Sequence, residues 1–355
     1  TGPEPVYLET FVWSLGLIVF LSTVLKLFYK VIKVPNGIST ESIVILSLVC
    51  FTVFSVMSRD KTIAPRFQGL SPVVKSIAEL SLAEHDQFAG RAMRISSGES
   101  ISNSWLGAFG SDFEDKRNTG FEYRAMSLWN SQIPTTFEYS PLITPQYFLF
   151  ANYFLNLQTD LQLRNVVLSR NINIPSWRAM GVSRVISEND IKSLKVLEKI
   201  MSGSREINIY EMEGENIGGF SPTKILRKSS LNSIFAELSA SEFSPEWVVV
   251  DYETKVNPEI VKVDHSEIRV KPGGYFVSAR SKGKSLLVLP IEYSNCWKPK
   301  RSLLGNEETQ LIRVNGIFLG ITFNQFLDME LEYFNSPFFQ KDCRLEDFRE
   351  FKRLI

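Results

Sequence analysis

Residues 294–323, SNCWKPKRSLLGNEETQLIRVNGIFLGITF, bring an indole, several cations and a carboxamide close together: Trp297 is followed by basic and polar residues, then by Arg313-Val314-Asn315-Gly316-Ile317-Phe318. A Trp face with amide groups nearby is the chemistry of a sugar platform. The same residues among Val, Ile and Phe are also turn chemistry for a sheet, because Asn and Gly tolerate a positive φ. A second aromatic set, Trp105, Trp129, Phe137, Tyr139, Tyr147, Phe148 and Tyr153, is interleaved with Pro134, Pro141 and Pro145. It suits a sugar-binding surface or the core of a small domain. The candidate substrate contacts are therefore Trp105, Trp129, Tyr139, Trp297 and Asn315.

Other chemistries are poorly supplied. There is no GxGxxG, P-loop, HExxH or GxSxG pattern, and the two histidines, His85 and His265, do not stock a triad or a metal site. His85 lies between Glu84 and Asp86, yet adjacent helical residues point in different directions and converge poorly on a cation. Asp112, Glu114, Asp115 and Glu122 are carboxyls of the kind a glycosidase pairs at about 5 to 9.5 Å, but acids in a polar loop ordinarily face water. No catalytic residue is assigned. The three cysteines form no CxxC, so no metal site and no cofactor are expected in this chain. Cys50 lies in an apolar run; Cys296 and Cys343 pair only where the fold brings their Cα atoms within bonding distance in an oxidising compartment. Lys+Arg and Asp+Glu both number 39, which leaves no basic field for nucleic acid.

Two uncharged runs precede the elements that would position these residues. Thr10 to Leu25 and Ser42 to Ser58 are apolar all round and are separated by KVPNG, so residues 1–72 read as a transmembrane helical hairpin. Glu4 and Glu9 precede the first run where a signal peptide would be basic, and the chain reads as a segment of a longer protein. Residues 73–244 alternate helical and strand patterns: a helix from Val73, a strand at Gly90 to Ser96, a helix from Tyr147, a small helix and strand at Trp177 to Ser187, a helix over ENDIKSLKVLEKIM and a strand over REINIYEME. From Trp247, short alternating runs punctuated by Pro272-Gly273-Gly274 and Gly305-Asn306 predict an antiparallel β-sandwich over 245–337. The tail, 338–355, is a charged amphipathic helix too short to span a bilayer. The expected fold class is α+β.

The order of motifs resembles the bacterial YfhO-type multi-pass membrane proteins, which are similar to GT-C glycosyltransferases. The resemblance rests on MGVSRVIS, on INIYEMEG followed by GGFSPTKIL, on Leu286 to Tyr293, on Cys296-Trp297, on Arg313 to Ile321 and on Glu330 to Tyr333. Cys296 stands where the family has Gly before Trp. The resemblance implies an extracytoplasmic portion, residues 73–355, of a cytoplasmic-membrane protein working in cell-envelope glycan or glycolipid assembly. The Lys26 to Lys33 loop would then be cytoplasmic. It further implies membrane lipid and a lipid-linked sugar or envelope glycan as partners. A divalent cation, where the parent uses one, would be held outside this chain, and the catalytic acid would lie in an N-terminal bundle that nothing here matches. The alternative is a non-enzymatic envelope-polysaccharide-binding or complex-assembly module.

Overall fold

The computed structural model describes residues 72–81, 87–95, 128, 133–136, 144–157, 169–202, 205–241, 244–302, 309–334 and 341–355. The expected transmembrane hairpin, Trp105, Trp129, Tyr139, His85 and the four acids at 112–122 lie outside these residues. Among the described residues no helix is long and apolar enough to cross a membrane. The compact unit Leu70–Ile355 is α+β with mostly antiparallel sheets and few helices.

Its first sheet has the order β1-β2-β4-β3, from β1 (Arg91–Arg94), β2 (Val182–Ser187), β3 (Lys195–Ser202) and β4 (Arg205–Glu211). β1 and β2 run parallel, and the other neighbours are antiparallel. Helix α1 (Pro72–Ser81) places Val73, Val74, Ile77 and Ala78, one face at helical spacing, against Ala92, Ile186, Ile207 and Ile209 of this sheet. Two further helices follow in the chain, α2 (Pro145–Phe154) and α3 (Ile174–Ala179). Each is capped by a side chain: Thr144 Oγ1 accepts from Tyr147 N–H at 3.1 Å, and Asn173 Oδ1 from Ser176 N–H at 3.0 Å.

One expected helix is a strand. The second half of ENDIKSLKVLEKIM, from Lys195, lies in β3 at the sheet edge after a stretch of turns, and the reason is visible in the packing of the segment. Leu194, Leu197 and Ile200 are its half-buried residues, a spacing of three that imitates a helix. A register shift between Val196 and Glu198 produces that spacing by resetting the strand's alternation. Cross-strand pairs Lys195–Glu211 (2.8 Å) and Lys199–Glu206 (2.9 Å) then supply the charges of a protected edge.

Residues 224–251 form a β–α–β unit in which β5 (Lys224–Lys228) and β6 (Trp247–Asp251) pair in parallel around α4 (Leu231–Ser241). The boundary expected between 244 and 245 falls inside this unit. Leu231, Ile234, Phe235 and Leu238 make the buried face of α4, and Val248, Val249 and Val250 are all fully buried. That continuous apolar run is the mark of a strand covered on both faces.

Of the strands expected to make a two-sheet sandwich, β6 pairs with β5 and the rest, from Val263 on, are hydrogen-bonded into one sheet. Its order is β10-β11-β8-β7, from β7 (Val263–Lys271), β8 (Gly274–Glu292), β10 (Gln310–Val314) and β11 (Phe318–Tyr333). β9 (Trp297–Ser302) pairs with the far half of β11, on residues 329–333, while β10 pairs with 318–322. β8 and β11 are 19 and 16 residues long, so each runs through both halves. A register shift between Asn324 and Phe326, with Gln325 at φ 62°, breaks β11 in its middle. Leu287, Leu289, Leu319 and Ile321 from one half share a core cluster with Val277, Ala279, Met329 and Leu331 from the other. Helix α5 (Lys341–Leu354) closes the chain and buries Leu354.

The β10–β11 hairpin turns through Asn315 (φ 50°) and Gly316 (φ 78°). A Cβ on Gly316 would lie 2.5 Å from Phe235 Cε1, whereas one on Gly273 (φ 77°) would meet nothing within 4 Å. Gly316→Ala is therefore expected to cost about 2 to 3 kcal/mol, from strain plus overpacking, and Gly273→Ala about 1 kcal/mol from backbone strain alone. Denaturant midpoints of the two variants check this, and equal losses would contradict the close-approach argument.

Candidate functional site

Two of the candidate contacts lie among the described residues, and they do different things. Asn315 is 6% exposed, and its polar groups are bound to Val249 of β6: its N–H donates to Val249 O at 2.7 Å, and its Oδ1 accepts from Val249 N–H at 2.8 Å. Trp297 opens β9 with its ring 5.8 Å from that of Tyr275 and 4.8 Å from that of Tyr333. Its indole N–H donates to Glu292 O at 2.9 Å, so the ring is held in place, half-buried. The structure does not bring the two residues into one surface. Of the middle aromatic set, Tyr147 is buried in the main core beside Phe150 and Phe154, the core role of the two readings, and Tyr153 is exposed.

Between them lies a polar cluster built where the end of β8 meets α2, β10 and α5. Asp347, on α5 and 5% exposed, accepts from Ser294 Oγ (2.6 Å), Asn295 N–H (2.7 Å) and Asn295 Nδ2 (2.9 Å). Its own carbonyl accepts from Gln146 Nε2 of α2 at 3.1 Å. Arg313, 7% exposed, donates through Nη2 to Glu350 Oε2 at 2.6 Å and lies 4.5 Å over the ring of Tyr293. These are charge-assisted bonds out of water, where a lost partner is costly. Cys343, at the start of α5, is bonded to Cys296 with a Cα–Cα distance of 5.1 Å. One turn of strand is thus tied to one turn of helix covalently and through a buried carboxylate.

Glu292 is the titratable centre of the cluster. Some of the residue's surface remains exposed, but its carboxyl is shut off from water, and that burial pushes its pKa up to about 7. The Thr144 hydroxyl, which donates to Glu292 Oε1, and the Arg313 and Arg344 guanidiniums pull the other way, while Asp347 adds to the rise. Burial likewise pushes the Tyr293 and Tyr333 hydroxyls up. Around neutral pH the arrangement can hold or release one proton at Glu292. Most of its other polar groups are committed to each other, Gln146 Oε1 being a buried oxygen without a partner, and among the described residues no group of three or more His, Cys, Asp and Glu could hold a metal ion.

Sequence reasoning passed over Glu292, Arg313, Asp347 and Glu350 as site members. One signal was available: Asp347 and Glu350 are three apart on a helix and share a face, with Cys343 one turn earlier. Compared with protein-family models, curated proteins and solved structures, the chain matches none.

Two outcomes follow from this geometry. A carboxyl whose folded pKa is raised binds more protons in the folded than in the unfolded state between about pH 4.5 and 7, so its contribution is full below the unfolded value and is lost as pH rises through about 7. Denaturant titrations at pH 5 and pH 8 are expected to show a loss of order 3 kcal/mol that Glu292→Gln abolishes; an identical pH response in the variant would contradict the burial. The Cys296 and Cys343 positions are 47 residues apart, and loop-closure entropy gives about 4 kcal/mol for such a bridge. The double Ser variant is expected to lose up to that amount, with amide exchange in α5 rising more than in β8. Uniform loss of protection would instead place the bridge's effect on the whole sheet.

Proposed function

We propose that residues 73–355 form an outward-facing module of a cytoplasmic-membrane protein similar to the YfhO-type, GT-C-like proteins, working in cell-envelope glycan or glycolipid assembly. The module does no chemistry itself. It covers the parent protein's membrane-embedded site or positions an acceptor, with membrane lipid and a lipid-linked sugar or envelope glycan as its partners.

The observation that carries this reading is the Cys296–Cys343 bridge. Such bridges persist in oxidising compartments, so a bridged module beside two uncharged apolar runs is best placed outside a membrane that those runs cross. The polar cluster supports the non-catalytic role. A catalytic acid needs an open approach to the proton it moves, and Asp347, Arg313 and Asn315 spend their polar atoms inside the protein. The motif run Arg313 to Ile321 likewise serves as a hairpin that joins two sheets.

The test is sugar transfer from polyprenyl-phosphate donors by the full-length parent in membranes, with and without residues 73–355. Transfer by the intact protein, and at least about tenfold less after deletion, is expected of a module that organises the acceptor. Unchanged transfer would assign the module to the non-enzymatic binding alternative, and no transfer by either form would remove the glycosyltransferase parent.

A further inference from the structure

We infer that the outward face of α5 is a docking surface for an anionic phospholipid bilayer. The helix has two stripes. Asp347, Glu350, Phe351 and Leu354 face the protein, buried or half-buried, while Leu345, Phe348, Lys352 and Ile355 follow one another at spacings of three, four and three on the other side. Ile355 keeps that phase past the last turn, since its N–H donates to Phe351 O at 3.1 Å. Leu345, Phe348 and Ile355 expose 45%, 44% and 62% of their surface, and although single exposed apolar residues are ordinary, an aligned set calls for a partner. The charges are sorted about the same stripe. Helical phase puts Lys352 within it, Arg344 along one border and Arg349 along the other. Among the described side chains, Asp347 and Glu350 turn inward to the polar cluster, and exposed Glu346 pairs with Arg349 at 3.1 Å in a solvent-facing bond of little worth.

A bilayer fits this face better than a protein partner. Three half-exposed side chains fall well short of the roughly 800 Å² that each side of a stable protein complex buries. A module tethered to the membrane it touches needs far less, because the tether keeps its effective concentration high. Apolar groups at the acyl boundary with Arg and Lys at their flanks are the pattern of an interfacial helix, and the long stems let the cations reach phosphate. Lys352 Nζ lies 4.8 Å over the Phe348 ring, so cation and aromatic enter the interface together. The helix is also held firmly along its length. The Cys296–Cys343 bridge and Arg344, 5.6 Å over the Tyr333 ring, fix its start, Arg313 holds Glu350 in its second half, and Arg353 pairs with Asp251 and Glu253 at its end. Those two acids head the connector 252–262, which Arg227 of β5 gathers by donating to Thr254 O at 2.9 Å. A face fixed in advance lowers the ordering cost of docking.

This inference rests on the proposed membrane setting and names the surface that the module lays against the bilayer. The full chain carrying Phe348→Trp is reconstituted into vesicles of phosphatidylglycerol or of phosphatidylcholine, both with brominated acyl chains, and quenching of the added indole is read as the difference from the unsubstituted chain. Quenching is expected with phosphatidylglycerol and at least about threefold less with phosphatidylcholine. Adding Arg349→Gln/Lys352→Gln is expected to bring it down to the phosphatidylcholine level, while Arg349→Lys/Lys352→Arg keeps it. The three substituted side chains are exposed, and unchanged denaturant midpoints confirm that the variants fold. Equal quenching in the two lipids, or none in either, would overturn the inference, and cross-linking of two copies that Phe348→Ser abolishes, in place of quenching, would give the face to a second copy. Alkaline carbonate extraction tests the setting separately. A chain that resists extraction but is not quenched loses only the docking surface, whereas one that is extracted yet quenched only with phosphatidylglycerol keeps the docking surface and loses the membrane-anchored parent.

Discussion

The two hydrogen bonds between Asn315 and Val249 are the constraint on which residues 70–355 depend. Asn315 can offer both bonding groups to one residue only because the chain there turns at positive φ, and Gly316 can follow only because it has no side chain to strike Phe235. The hairpin tip is thereby fixed to the middle of β6, whose own partner is β5, and α4 is carried along because it crosses between them. Arg313, two residues earlier, reaches Glu350, so the same hairpin also seats α5. The β–α–β unit at 224–251 and the helix at 341–354 thus share one turn. The core reflects this, for residues of α2, α4, β6, β8, β10 and α5 belong to a single cluster.

The polar cluster at the end of β8 belongs to the same design. Burying Asp347 and Arg313 is unfavourable without compensating partners, and here partners come from the β8–β9 turn, α2 and α5. The arrangement gives specificity of docking more than net stability, because α5 alone is weakly apolar and has few other means of choosing its seat. Glu292 is the exception in being only partly compensated, and it is the group whose charge the fold resists.

Sequence patterning made most of the strands legible, since β2, β4, β7, β8, β10 and β11 alternate or run apolar as buried strands do. It misread β3, whose shifted register imitates a helical period. It also left β5, α4 and β9 unassigned: β5 is the basic run Lys-Ile-Leu-Arg-Lys, and β9 contains Pro299, a strand breaker tolerated because β9 lies at an edge. Trp297 and Asn315 were recognisable as special, but whether a Trp faces a ligand or a Tyr depends on partners remote in sequence. Arg227 shows the same limit. Nothing local announces that a strand arginine will organise a connector some 25 residues on, since backbone carbonyls carry no sequence signature.

The bridge between Cys296 and Cys343 also sets an order of events. As the chain is made from its N-terminus, Cys296 emerges with β8 behind it, and its partner arrives only after β9, β10 and β11 have passed. The bond can therefore form only once all three strands have been made. The bridge closes a loop that holds β9, β10, β11 and the hairpin at Asn315, so it fastens the start of α5 to the turn after β8 across every strand between them.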